Sequence, residues 1–455
     1  MTEPYALSLS DAATAVAKRG LSPVELLDST LGRIEQVESR VLAWARLRPE
    51  EARREAERLG AAGAPLGPLH GIPVGAKDIF YTAGIETSCG SRLMAGFVPT
   101  HDATAIVRLR QAGAILLGKT HTTEFAAFDP SPARNPWALD HTPGGSSSGS
   151  AAALAARMCH GALGTQTSGS IVRPAAFCGI VGLKPTFGRV SRYGVHPLAW
   201  TLDHPGPMAR TVRDVAVLLE VIAGPDPNDP ATLSAPPVPR YASALDDATV
   251  QTGALRRLRI GVPDRYFFDG LDPETLAAYR AAIDMLADLG VAVREVRLPA
   301  VFEAGIDAHD LIHNVEAAAV HLDRYRTRAA EYGEKLRAII ETGLLIPAPT
   351  YVRAQQIRTA VIEAMRKLFQ DIDVLATPAA PGPAPEGLAS TGSPVMNKPF
   401  SFIGFPSLAL PCGRTREGLP LGLQLAGRPF EEVTIFQLAS SYERATSWTS
   451  DRPPL

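Results

Sequence analysis

The sequence predicts an α/β protein: a helical N-terminal segment, residues 1–62, followed by alternating helices and strands that form one α/β/α domain over residues 1–455. Three observations lead there. Helix-capping residues cluster near the N-terminus, amphipathic helical patterns step repeatedly into short apolar runs, and the composition suits a chain that buries a large core. Of 455 residues, 45% are apolar, 20% charged and 6% aromatic, which excludes disorder as the main state.

The elements follow in order. Ser8 can cap a helix that stops near Gly20, and Ser22-Pro23 places a cap before proline at a first helical position. Residues 104–112 read as an amphipathic helix broken at Gly113, and the apolar run 114–117 reads as the next strand. Residues 211–223 form another helix. The proline-rich stretch 224–240 cannot hold regular structure and is expected to cross the surface between a catalytic half, 63–223, and a second half, 241–455. Beyond it the alternation resumes: strand 258–262, helix 273–289, strand 291–298, helix 351–371, strand 374–376, a second Pro/Gly stretch at 378–394, strand 419–425 and a final helix at 432–444. No internal repeat is visible.

Basic and acidic residues balance at 45 against 47, so charge gives no reason to expect nucleic acid or an anionic membrane as partner, and a small uncharged ligand is the default. The four cysteines are scattered without a CxxC pair, which indicates neither a zinc cluster nor a disulfide framework. No stretch approaches about 18 uninterrupted apolar residues and no leader pattern opens the chain, so a cytoplasmic location is expected.

Chemistry concentrates in residues 142–174, where Gly/Ser/Thr-rich turns flank a small-residue helix at 151–158. Glycine turns let backbone N–H groups approach a ligand closely. A flexible linker would explain the composition but not the helix or the apolar residues that follow. Ser146 follows a double glycine, and Ser170 lies in a second such turn. A serine hydroxyl needs a base to become a nucleophile, and no histidine sits in a partner motif. Lys77, within the apolar GIPVGAKD of residues 71–78, is the candidate: burial would leave it a neutral amine, and Asp78 would point away on an extended segment.

These residues carry a resemblance to the amidase signature family. Its motifs stand here as residues 71–78, GGSS at 144–147, GTQTSGS at 164–170 and PAAFCGIVGLKP at 174–185, with close similarity over 65–200 and further similarity at Phe405-Pro406 and residues 419–427. The resemblance implies an α/β/α sandwich around a large mixed β-sheet. It implies Ser170 as acylated nucleophile, Ser146 as bridging serine after a cis peptide bond, Lys77 as terminal base, and the backbone N–H groups of Thr167, Ser168, Gly169 and Ser170 as the oxyanion hole, supported by Gly145, Ser147 and Gln166. Hydrolysis of a small carboxamide is then expected, with carbamates, anilides or esters as alternatives, without cofactor or metal, by a monomer or homodimer. Phe125 and Phe128 are candidate substrate contacts, in walls expected from loops at 124–137, 305–321 and 378–400.

Three positions depart from the common family pattern. Gln166 replaces an aspartate, Ser168 a glycine, and Val172-Arg173 an arginine followed by an apolar residue, so the usual buried ion pair is absent or remade and Arg173 is assigned no role. His121, where asparagine is frequent, is expected to shape the pocket. Rival readings are a nucleophile elbow at Ser147 in GSSSG, which needs a preceding strand; a zinc site on His309 and His313 with Glu334, in which Asp310 takes the place of the general-base glutamate; a catalytically silent ligand-binding scaffold; and a glutaminase-type component of an amidotransferase complex.

Overall fold

The computed structural model describes residues 3–246 and 255–455. Helix α1, Leu9–Ala17, begins where the Ser8 hydroxyl accepts the Asp11 N–H, and α2, Pro23–Val41, opens in a capping box between Ser22 and Glu25. The N-terminal segment is not wholly helical. Leu42 adopts φ 54 and ends α2, after which β1, Trp44–Leu47, pairs antiparallel with a strand at Ile115–Thr120, before α3, Pro49–Gly60.

The remaining elements alternate: β2 (Pro73–Lys77), α4 (Thr104–Gln111), β3 (Ile115–Thr120), α5 (Ser148–Ala155), β4 (Gly161–Gln166), α6 (Val172–Cys178), β5 (Val181–Lys184), β6 (His204–Ala209) and α7 (Val212–Ile222). After the proline-rich stretch come β7 (Arg259–Pro263), α8 (Pro273–Asp288), β8 (Ala292–Val296), α9 (Ala304–Arg328), α10 (Glu334–Leu345), α11 (Ala348–Asp371), β9 (Val374–Pro378), α12 (Lys398–Ile403), β10 (Ser407–Arg414), β11 (Pro420–Gly427) and α13 (Glu432–Arg444). The proline-rich stretch is irregular, as expected, yet it is anchored: Asp226 and Asp229 are buried, and Asp229 pairs with Arg192 at 2.6 Å.

All eleven strands join one mixed sheet in the order β1-β3-β2-β4-β6-β5-β10-β11-β9-β7-β8. Pairing is parallel through β3-β2-β4 and β9-β7-β8 and antiparallel elsewhere. Side chains alternate between two apolar layers, as the two-residue period of a strand requires. Leu163, Leu408 and Leu410 pack on one face with residues of α1, α4, α7 and α13, whereas Ala162 and Ala409 pack on the other with α2, α3, α5 and α6. On that second face α9, α11 and α12 form a neighbouring layer over Leu375 and Ala426. Helices therefore cover both faces of the sheet, giving an α/β/α sandwich.

Candidate active site

Parallel pairing of β2 with β4, at Val74↔Gly161 and Ala76↔Leu163, brings the carboxyl ends of both strands to one edge of the sheet. Open α/β sheets bind ligands at such edges. Lys77 is the last residue of β2, and residues 167–170 form the turn that leaves β4. Lys77 is fully buried, with Nζ 2.7 Å from Ser146 Oγ and 2.8 Å from Thr165 Oγ1. Burial pushes the Lys77 pKa well below the ordinary lysine value, against the opposing charge of Asp203. Asp78 has other partners: it accepts the Ser88 N–H at 3.0 Å and pairs with Lys119 at 3.2 Å.

Ser146 enters on the Gly144-Gly145 turn ahead of α5. Gly144 has φ 81, which disfavours any side chain, and the Gly145–Ser146 peptide bond is cis. Ser147 joins this turn to the second one: its N–H donates to Ser170 O at 3.2 Å, its hydroxyl donates to Thr165 O at 3.3 Å, and it accepts the Thr165 N–H at 3.2 Å. No strand immediately precedes Ser147, so the elbow condition is not met. Lys77 and Ser146 are thus in direct contact, and Ser170 is tied to their neighbour through Ser147. Among the described residues no hydrogen bond joins Ser170 Oγ to Ser146 Oγ.

The turn after β4 is held from several sides. Gln166 Oε1 accepts the N–H groups of Ile171 at 2.9 Å and Val172 at 3.0 Å, and its Nε2 donates to Ser401 Oγ at 2.9 Å. Gln166 needs no counter-charge for this, and Arg173 has no carboxylate partner among the described residues. Its guanidinium donates to Gly145 O at 2.6 Å, Gly392 O at 2.7 Å and Thr391 Oγ1 at 3.0 Å, and burial lowers its pKa to about 9. Asp203 stands just before β6, opposite the end of β4 through the Gln166↔His204 pair. It accepts the Thr167 hydroxyl at 2.6 Å and the Leu198 N–H at 2.8 Å, and burial raises its pKa to about 6. Among the described residues, the N–H groups of Ser168, Gly169 and Ser170 donate to no protein acceptor.

Two expectations are corrected. Phe125 is 1% exposed and packs against the rings of His196, His321 and Tyr332, so it belongs to a buried aromatic cluster and not to a pocket wall. Residues 305–321 lie within α9 and are not a loop; the helix runs 25 residues and is buried along one side. Phe128 is half-buried with its ring 6.1 Å from that of His313. His121 is half-buried and its N–H donates to Ala43 O. His309 and His313 stack at 5.9 Å, but no group of three or more His, Cys, Asp or Glu side chains able to hold a metal occurs among the described residues. Thr165, Asp203, His309 and Ser401 all touch the site and were not singled out for it from sequence. Nor is any helix among those residues long and apolar enough to cross a membrane.

This mixed sheet, with a lysine and glycine-rich serine turns at one strand edge, defines a class of acyl-transfer folds, and comparison with known proteins places the chain within it. The Amidase family model matches residues 25–436, and the chain belongs to that family. It is similar to the glutamyl-tRNA(Gln) amidotransferase A-type subunit of Roseiflexus sp. (strain RS-1), at 43% identity over 100% of this chain and 99% of the relative. Among solved structures it is similar to the native peptide amidase from Stenotrophomonas maltophilia, with TM-score 0.86 and 31% identity over 100% of this chain and 99% of the other. It is also similar to a chain from a structure described as an unexpected vestigial protein complex that reveals the evolutionary origins of an s-triazine catabolic enzyme, with TM-score 0.90 and 31% identity over 99% and 100%.

Proposed function

We propose that the chain cleaves the C–N bond of a small carboxamide by acyl transfer to Ser170, with Ser146 relaying the proton and Lys77 receiving it. The observation that carries this reading is a buried amine 2.7 Å from a serine hydroxyl, with no carboxylate at ion-pair distance among the described residues. As Ser170 Oγ bonds to the carbonyl carbon, its proton passes to Ser146 Oγ, whose own proton passes to Lys77 Nζ. The negative carbonyl oxygen meets the N–H groups of residues 167–170. Collapse breaks the C–N bond, and the leaving nitrogen takes the proton back along the relay. Water then attacks the acyl-enzyme with the same groups as base and releases the acid. Hydrogen bonds of such relays often close only when substrate is bound, so the separation of the two serine hydroxyls is compatible with this sequence. The same steps serve a carbamate, an anilide or an ester.

The destination of the nitrogen divides this reading into two forms. A stand-alone amidase releases it to solvent, as the peptide amidase similarity suggests. A glutaminase-type component passes it to a transamidating partner, and the higher identity to the amidotransferase relatives, 43% against 31%, favours that form. The test is ammonia and acid release by the purified chain across L-glutamine, simple carboxamides, carbamates and esters. Turnover of simple carboxamides by the chain alone supports the first form; turnover restricted to glutamine supports the second. No turnover in any class, with Ser170 unreactive towards an acylating probe, overturns both.

A further inference from the structure

An oxyanion hole needs its N–H groups aimed to one side, and the peptide plane dictates how. In a trans peptide the C=O of residue i and the N–H of residue i+1 point in opposite directions, so holding the carbonyl aims the amide. Three carbonyls of the turn are held. Thr167 O lies 3.1 Å from His309 Nε2, Ser168 O accepts the Ser401 hydroxyl at 2.7 Å, and Gly169 O accepts the Arg173 N–H at 2.9 Å as α6 begins. The amides that follow them, of Ser168, Gly169 and Ser170, are the three with no protein acceptor among the described residues. The first two holds come from α9 and α12, far away in sequence.

We propose that His309 and Ser401 are positioning residues for the oxyanion turn, aiming the Ser168 and Gly169 N–H groups at the reacting carbonyl oxygen. The inference rests on the acyl-transfer reading above. A carbonyl oxygen can only accept, so His309 carries its proton on Nε2. Burial lowers the His309 pKa, leaving a neutral ring with that single proton. Asp310, 3.2 Å from Nδ1, is paired with Lys398 at 2.8 Å. Stacking on His313 at 5.9 Å and the edge of Phe402 at 6.3 Å fix the ring. Ser168, at a position where the family usually has glycine, adds its Oγ 3.4 Å from the same Nε2. Ser401 is itself oriented by the amide of Gln166, so the residue that replaces the family's aspartate supports one of the two holds.

The test compares His309→Phe, which keeps a ring but loses the donor, with His309→Gln, which restores an N–H at similar reach, and with Ser401→Ala. The readouts are kcat and KM on an amide that the wild type cleaves, the rate of Ser170 phosphonylation by a fluorophosphonate, and the thermal midpoint. Losing a direct oxyanion donor costs about 10²–10³ in kcat, so misaiming one is expected to cost roughly 10- to 100-fold in His309→Phe and Ser401→Ala, with KM changed less than about 3-fold. Phosphonylation should slow in parallel, and His309→Gln should recover most of the rate. Unchanged kcat in His309→Phe and Ser401→Ala overturns the proposal, as does an equal loss in His309→Gln accompanied by a lowered midpoint. A wild type that neither turns over nor labels at Ser170 instead overturns the acyl-transfer reading, and the proposal with it.

Discussion

Lys119 Nζ stands 3.2 Å from Asp78 Oδ1 with both side chains buried, so the carboxylate beside Lys77 is neutralised by a different lysine. This arrangement leaves the Lys77 amine unpaired. Removing one member of a buried pair strands the other charge, so Lys119→Met should lower the unfolding free energy by about 3–5 kcal/mol in denaturant titrations. Adding Asp78→Asn should restore part of that loss. It should not restore all of it, because Lys119 also donates to Phe80 O and Thr87 Oγ1. A single variant as stable as the wild type would show that the pair carries no such charge.

Lys77 acts as a base only when uncharged, so activity should fall as pH drops through its lowered pKa. Lys77→Ala should reduce kcat/KM by about 10²–10⁴ and abolish the acidic limb. The Asp203 charge raises the Lys77 pKa, so Asp203→Asn should move that limb to lower pH wherever Asp203 is ionised, above about 6. The raised Asp203 pKa also contributes stability that is fully present below 3.8 and lost as pH rises through about 6. A pH profile of kcat/KM that is unmoved in Asp203→Asn, or moved to higher pH, would contradict this assignment of charges.

Gly169 has no room for a side chain. A Cβ there would stand 2.6 Å from Asn397 Oδ1 and 3.0 Å from Pro394 Cβ, and Asn397 is itself held by bonds to Ala379 O and Gln424 Oε1. Gly169→Ala should therefore displace the turn and remove most turnover while circular dichroism stays that of the wild type. Full activity in this variant would mean that the turn can shift without consequence.

Gln166 performs two separable tasks. Gln166→Leu strands the Ile171 and Val172 N–H groups, at about 1–3 kcal/mol each, and should lower the thermal midpoint as well as the rate. Gln166→Glu keeps the acceptor but loses the donor to Ser401, and should keep more of the stability than of the turnover. Equal losses in both variants would argue against a division between the two ends of the amide.

Helix starts were legible because caps are local: Ser8, Ser22 and Pro273 stand where single-residue chemistry places them. The two serine turns were legible because glycine-rich spacing is equally local. Strand β6 was hidden by Pro205 and Pro207, which argue against a central strand; it pairs with β5 only beyond them, at Met208 and Ala209. Strand β1 was too short to separate from its flanking helices. Asp203, His309 and Ser401 reach the turn from 36, 142 and 233 residues away, so no spacing rule announces them. Phe125 illustrates the reverse difficulty, since an apolar ring suits a core or a pocket equally until burial decides.

The central claim is that Ser170 carries the acyl group and that Lys77 is its ultimate base. Mass spectrometry with peptide mapping after fluorophosphonate treatment tests it most directly. The account predicts one adduct, on Ser170, absent in Ser170→Ala and formed far more slowly in Lys77→Ala. An adduct on Ser147 or Ser146, or labelling of Ser170 at an undiminished rate without Lys77, would contradict it.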